Sequence, residues 1–160
     1  MRRLKQWLFD PETQVVSSLY LYRRLYEKGG YSRWLSGFIG RWFVTGAGCH
    51  IAFGARIGSG LRLPHPVGIV ISEECEIGDG VVIFQNVTLG RRKADVPGAP
   101  KLGNRVTLYA GAVVVGEITI GHGATIGANC VVDFDVPPGA VVTAPRGELS
   151  KPKVRLRLMQ

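Results

Sequence analysis

Residues 102–137 read LGNRVTLYAGAVVVGEITIGHGATIGANCVVDFDVP, and an aliphatic side chain returns there at every sixth position: Leu102, Leu108, Val114, Ile120, Ile126 and Val132. Four residues after each stands a small or branched apolar one: Val106, Ala112, Ile118, Ala124, Cys130 and Val136. The rhythm also runs through Ile71, Ile77, Ile83 and Leu89 and, ahead of a two-residue slip, through Ile51, Ile57 and Leu63. Ala55, Leu61, Val67, Cys75, Val81 and Val87 are the second members of those hexads. Glycine often follows the aliphatic residue, as in Ile57-Gly58, Ile77-Gly78 and Ile120-Gly121. A period of six fits neither the 3.6-residue helix nor the two-residue strand alternation. One hexad supplies a short strand and a turn, so three close a triangular coil of about eighteen residues. Stacked coils lie about 4.8 Å apart and bury both apolar positions in a continuous column. The fold class expected is mainly β, a parallel β-helix solenoid over residues 49–139.

The composition agrees. A chain of 160 residues that is 46% hydrophobic suits one compact domain with a small appendage. Its 22 glycines are used by the solenoid turns and do not indicate disorder. Cys75 and Cys130 fall on inward hexad positions and Cys49 just precedes the first coil, so three buried thiols in a reducing cytosol are expected. No C-x-x-C spacing suggests a metal. The basic start, Arg2, Arg3 and Lys5, runs through Trp7-Leu8-Phe9 into Asp10-Pro11, too short for a signal-peptide core, and no stretch is long enough to span a bilayer. A cytoplasmic protein is the expectation. The net charge of +8 is concentrated at the two ends. It suits anionic partners: coenzyme phosphates, acidic polysaccharide or the anionic inner membrane leaflet. No nucleic-acid motif accompanies it.

Residues 1–48 stand outside the rhythm and form an α-helical N-terminal segment. Val15, Val16, Leu19, Tyr22, Leu25 and Tyr26 recur at three and four residues, predicting a helix from about Glu12 to Lys28, opened by Pro11 and ended by Gly29-Gly30. A second helix is predicted from Ser32 to Val44, with Trp34, Leu35, Phe38, Ile39, Trp42 and Phe43 as a broad apolar face. Both helices are expected to pack on the first coil and cap its open edge. Their aromatic and basic content also permits a peripheral contact with the inner membrane.

Two features break the solenoid. The slip falls at Pro64-His65-Pro66-Val67-Gly68, where two prolines and a glycine hold a histidine in a fixed turn. Residues 91–101, rich in charge, proline and glycine, form an extruded loop, and such insertions often make a solenoid's binding face. Residues 140–160 are a basic tail whose Val154, Leu156 and Leu158 alternate as one strand would.

The stretches His65-Pro66-Val67-Gly68-Ile69-Val70-Ile71 and Ile83-Phe84-Gln85-Asn86-Val87-Thr88-Leu89-Gly90 resemble the serine acetyltransferase branch of the hexapeptide acyltransferases. So do Pro100-Lys101-Leu102-Gly103 and Val136-Pro137-Pro138. The resemblance covers residues 50–140. It implies a left-handed parallel β-helix, an exception to the right-handed crossover rule. It also implies a homotrimer with active sites between subunits and acetyl-CoA as cosubstrate, with no metal. His65 aligns with the catalytic histidine, a general base that takes the proton of an acceptor hydroxyl. Gly90, Ala110, Gly111 and Ala128 match the positions that line the pantetheine arm. By charge alone, and not by the resemblance, Lys151, Arg155 or Arg146 are the candidates to meet the coenzyme phosphates. His50, Glu73 and Gln85 are the acceptor-side candidates.

This chain departs from that branch at several positions. Pro64 stands where an aspartate precedes the catalytic histidine, and His50 stands where a second aspartate orients it. Gly98-Ala99-Pro100-Lys101 replaces an Arg-His-Pro-Lys loop, which removes the carboxylate-binding arginine and a second histidine. The brief helical start resembles that of the exopolysaccharide branch, the colanic acid acetyltransferases among them. The leading expectation is therefore an O-acetyltransferase acting on a sugar hydroxyl of a polysaccharide or its precursor. The alternatives are a divergent serine O-acetyltransferase of cysteine synthesis and a non-catalytic scaffold. A metal-dependent hydratase of the γ-carbonic-anhydrase type shares such a solenoid, but His50, His65 and His122 lack its close histidine pair.

Overall fold

A computed structural model describes residues 10–93 and 95–145. Helix α1, Pro11–Lys28, begins where the Asp10 carboxylate accepts the Thr13 N–H at 3.1 Å, and proline occupies its first turn. Helix α2, Tyr31–Ile39, runs on into π-helical turns over Gly40–Thr45. Among the described residues the solenoid follows as thirteen short strands, from β1 (His50–Ile51) to β13 (Val141–Val142), all in parallel pairs. Three sheets form its faces. The first stacks β1, β3 (Val70–Ile71), β6 (Thr88–Gly90), β9 (Val113–Val115) and β12 (Val131–Val132). The second stacks β2 (Arg56–Ile57), β4 (Glu76–Ile77), β7 (Lys101–Leu102) and β10 (Thr119–Ile120). The third stacks β5 (Val82–Ile83), β8 (Thr107–Leu108), β11 (Thr125–Ile126) and β13.

The register sets like hexad positions over one another. Ile71 pairs with Leu89 and Leu89 with Val114, while Ile83, Leu108 and Ile126 form one line in the third sheet. These side chains are fully buried, together with the second hexad members Ala55, Cys75, Val81, Val87, Val106, Ala112 and Ala124. Val67 is the exception, at 58% exposed. The extra residues of the slip rotate it outward, and Ile69 takes the inward place. The three cysteines are free and buried, as expected, and burial pushes the thiols of Cys49 and Cys75 up. The ladder runs on to Val142, since β13 pairs with β11. The alternating segment expected at Val154–Leu158 lies outside the described residues.

Helix α1 caps the first coil through its polar side chains as well as its apolar ones. The coil's outward edge has no strand above it, so its backbone groups need other partners. The Tyr20 hydroxyl donates to the Gly58 carbonyl at 2.6 Å and accepts the Leu61 N–H at 3.3 Å. The Tyr22 hydroxyl donates to the Ile51 carbonyl at 3.2 Å, Arg23 donates to Ala55, and Glu12 accepts the Leu63 N–H at 3.2 Å. Val15, Leu19 and Tyr22 are buried behind these contacts, and burial pushes the Tyr22 hydroxyl up to about 12. Tyr22→Phe leaves the Ile51 carbonyl buried without that donor. It is expected to cost about 1–2 kcal/mol in urea denaturation.

Helix α2 is oriented differently from the sequence expectation. Its close approach to α1 and the first coil is made by Ser36, Gly40 and Val44, which are buried. Gly40 lies against both elements: a β-carbon there would be in ordinary contact, 3.5 Å from both Phe53 and Tyr22. Trp34, Leu35, Phe38 and Trp42 face away from the solenoid. The small residues win the inner face because they let the helices come closer, and the bulky ones are left outside.

Candidate active site

Each coil turns a corner between the third sheet and the first. The corner holds residues 64–69 in the first coil, 84–87 in the second, 109–112 in the third and 127–130 in the fourth. His65 opens onto this edge, fixed by its turn. The Val67 N–H donates to the His65 carbonyl at 2.8 Å, closing a three-residue turn, and Pro66 is buried beside it. Gly68 has φ +67 and donates to the Gly48 carbonyl at 3.0 Å, which ties the slip to the chain entering the solenoid. A β-carbon on Gly68 would stand 2.1 Å from the Asn86 side-chain oxygen. Glycine is favoured there by its φ, and any β-carbon would also have to displace the Asn86 side chain.

Along this edge the structure brings together His65, Gln85, Ala110, Gly111 and Ala128, one coil after another. Gly111 repeats the geometry of Gly68, with φ +71 and the Asn129 side-chain oxygen 2.2 Å from the place of a β-carbon. Two residues that sequence reasoning passed over also line it. The Phe84 ring lies 6.3 Å from the His65 ring and stacks on Tyr109 at 5.2 Å, 13° from parallel. Both directly follow an inward aliphatic, Ile83 and Leu108, and that shared phase was the available signal. The Gln85 side-chain oxygen is buried, with no hydrogen-bond partner among the described residues. The corner segments carry no Asp, Glu, Lys or Arg, and no described residue hydrogen-bonds the His65 imidazole.

The other candidates lie elsewhere in the chain. His50 is on β1 and borders a cavity under α2, with Tyr22, Gly40, Arg41 and Phe53. Glu73 sits at the corner between the first and second sheets, where its side chain crosses over Gly54. Within one chain Glu73 and His65 occupy different corners of the triangle. Gly90 ends β6 and is buried. Lys151, with Arg146 and Arg155, lies outside the described residues. His122 accepts the Asn104 N–H at 2.8 Å on the third corner. Among the described residues no group of three His, Cys, Asp or Glu side chains converges on a metal position.

The loop between β6 and β7 starts on the Glu73 corner and folds back over it. Arg91 pairs with Glu74 through two nitrogens, and the Gly98 N–H reaches the same carboxylate at 3.2 Å. Arg92 pairs with Asp133 at 2.8 Å. Ala99 is only 4% exposed and forms the loop's buried base. The Arg91 hydrogen bonds, and then the Gly98 N–H, hold the Glu74 carboxyl below the ordinary carboxylate range. A depressed folded pKa means that the tie is complete above the ordinary carboxylate value and is lost as pH falls through the lower one. Glu74→Gln removes the charge at every pH. Tryptic cleavage after Arg91, Arg92 and Lys93 is expected to quicken about two- to fivefold in that variant.

Comparison with known proteins bears on this edge. The family described as bacterial transferase hexapeptide (six repeats) matches residues 99–133. Residues 99–133 thus carry that hexapeptide repeat. The serine acetyltransferase of Helicobacter pylori is 45% identical over 107 residues, covering 66% of this chain and 61% of its own. That of Mycobacterium tuberculosis is 44% identical over 108 residues, covering 66% of this chain and 46% of its own. The crystal structure of Neisseria gonorrhoeae serine acetyltransferase in complex with serine superposes with a TM-score of 0.76 at 32% identity, over 90% of this chain and 58% of that one. Serine acetyltransferase isoform 3 of Entamoeba histolytica, in complex with cysteine, gives 0.76 at 31%, over 92% and 53%. This hexapeptide solenoid is thus a left-handed parallel β-helix, the fold expected. The chain spans less than two thirds of the length of these relatives.

Proposed function

We propose that this chain is an acetyl-CoA-dependent O-acetyltransferase whose general base is His65. The observation that carries the reading is the His65 turn. An exposed imidazole is held by two prolines and Gly68 at the head of an uncharged corner, in a solenoid similar to serine acetyltransferases. The bound thioester would supply an activated acetyl carbonyl. Ala110, Gly111 and Ala128 suit its slender arm, because nothing larger than a methyl group projects from the edge at those positions. His65 takes the proton of the acceptor hydroxyl as the oxygen attacks, and gives it to the departing thiolate when the C–S bond breaks. Backbone N–H groups would be the donors to the oxyanion. Gln85 offers its unpaired oxygen to a donor on the acceptor.

The relatives support serine as the acceptor, and this replaces the sugar hydroxyl as the first reading. The saccharide remains the second reading on one specific observation: the His65 corner has neither the carboxylate nor the arginine suited to an amino acid's charged groups. A homotrimer, with each site completed by a neighbour, agrees with Glu73 and His65 lying on separate corners. In the cytosol, where acetyl-CoA is at hand, such an enzyme would need no metal. The deciding experiment offers serine and a panel of capsular oligosaccharides together and weighs the products by mass spectrometry. Acetylserine alone supports the first reading, and an acetylated saccharide alone supports the second. Acetylation of neither, with acetyl-CoA intact, removes both.

A further inference from the structure

Residues 10–45 hold an arrangement that the proposed acetyl transfer does not use. Helix α2 and its π-helical extension turn their smallest side chains inward and their largest apolar ones outward. Ser36, Gly40 and Val44 are the buried line. Tyr31, Trp34, Phe38 and Trp42, three and four residues apart, are 80%, 67%, 52% and 65% exposed, with Leu35 beside them. Tyr31 stacks on Trp34 at 5.9 Å, and Phe38 leans on Trp42 at 6.1 Å, so the rings form one strip along the helix. A helix on the surface of a globular protein ordinarily does the reverse, and a continuous exposed apolar strip marks a contact surface.

The surrounding charge says what covers it. Between Arg23 and Thr45 the ionised side chains are Arg23, Arg24, Lys28, Arg33 and Arg41 against one acid, Glu27. Arg24, Lys28 and Arg41 are exposed, and Arg33 lies over the Tyr26 ring at 4.4 Å. A second copy of the chain, docked strip to strip, would bring these cations against their own likeness. An anionic headgroup layer would neutralise them. Trp and Tyr, each with an apolar ring and one polar group, are the side chains suited to that depth, where a helix lies with its apolar face about 5–10 Å into the headgroup boundary.

We propose that the α2 strip is a docking surface for an anionic phospholipid bilayer, seating the helix in the plane of the interface with Trp34, Phe38 and Trp42 inserted and Arg24, Lys28 and Arg41 among the headgroups. The proposal does not depend on the acceptor or on the acetyl transfer. It is tested by co-sedimenting the full chain with vesicles of about one-third phosphatidylglycerol in phosphatidylcholine, and with vesicles of phosphatidylcholine alone. The wild-type chain is expected to pellet with the anionic vesicles and to be released as salt rises. The Trp34→Ser/Phe38→Ser/Trp42→Ser variant is expected to partition at least about tenfold more weakly, with its thermal unfolding midpoint unchanged because these side chains are exposed. The Arg24→Gln/Lys28→Gln/Arg41→Gln variant is expected to lose the preference for anionic vesicles. Equal pelleting of the wild type and the aromatic variant would assign binding to the basic ends of the chain and overturn the proposal. So would a wild-type chain that stays in solution with both vesicles. So would a lipid-free wild-type assembly twice the mass of the variant's by light scattering, since a second copy would then cover the strip.

Discussion

His65→Ala is expected to lower kcat for acetyl transfer by about 10²–10⁴-fold, the range for loss of a positioned general base. Stability and donor binding should hardly change, because the imidazole is exposed and touches no partner by hydrogen bond among the described residues. The thermal midpoint and the KM for acetyl-CoA are therefore the controls, and both should stay near wild type. Loss of activity with both controls preserved places the effect in the chemical step. A variant within about threefold of wild-type kcat would assign proton transfer to another group and leave the His65 turn as a structural feature of the slip.

Leu108→Ala is the largest stability change expected here. Leu108 is fully buried on β8, in line with Ile83 on one side and Ile126 on the other. Parallel strands on both sides prevent the backbone from closing over a gap, so the lost burial and the cavity add together. The cost is expected at about 2–5 kcal/mol, read as a fall in the urea midpoint with an unchanged slope. Protomer concentration must be held fixed in that comparison, since assembly would stabilise the folded state by mass action. A cost under about 1 kcal/mol would mean that the column is not close-packed at its centre.

Much of this was legible because a six-residue period has one geometric solution. Ile71, Ile83, Leu89, Leu108 and Ile126 sit inside because each hexad repeats the one before, and position alone decides which way a side chain points. Val67 shows the limit of that reasoning. It has the right phase by count from Leu63, but the added residues of the slip shift the chain and leave it outside. The first helix was equally readable, since Val15, Leu19 and Tyr22 make a single stripe. The second was not. Trp34, Phe38 and Trp42 form the more obvious apolar face, yet Ser36, Gly40 and Val44 take the contact, because a line of small residues allows a closer approach than hydrophobicity alone suggests.

The site divides in the same way. His65, Gln85, Ala110, Gly111 and Ala128 share one edge because they share a corner phase, which the sequence displays directly. Glu73 has a different phase and lies on a different corner, so within one chain it stands apart from His65. The Phe84–Tyr109 stack depends on two coils separated by the loop insert. In sequence that insert places the two rings 25 positions apart, where a coil step alone would place them about eighteen apart, and the ladder is hidden until the loop is set aside.

Coenzyme A thiol release from acetyl-CoA by the purified wild-type chain, with serine or oligosaccharide added and with acceptor withheld, tests the central claim most directly. The account predicts release that depends on an acceptor and saturates with it. No release above the uncatalysed rate with any acceptor, together with no detectable binding of coenzyme A, would contradict it and leave a binding solenoid.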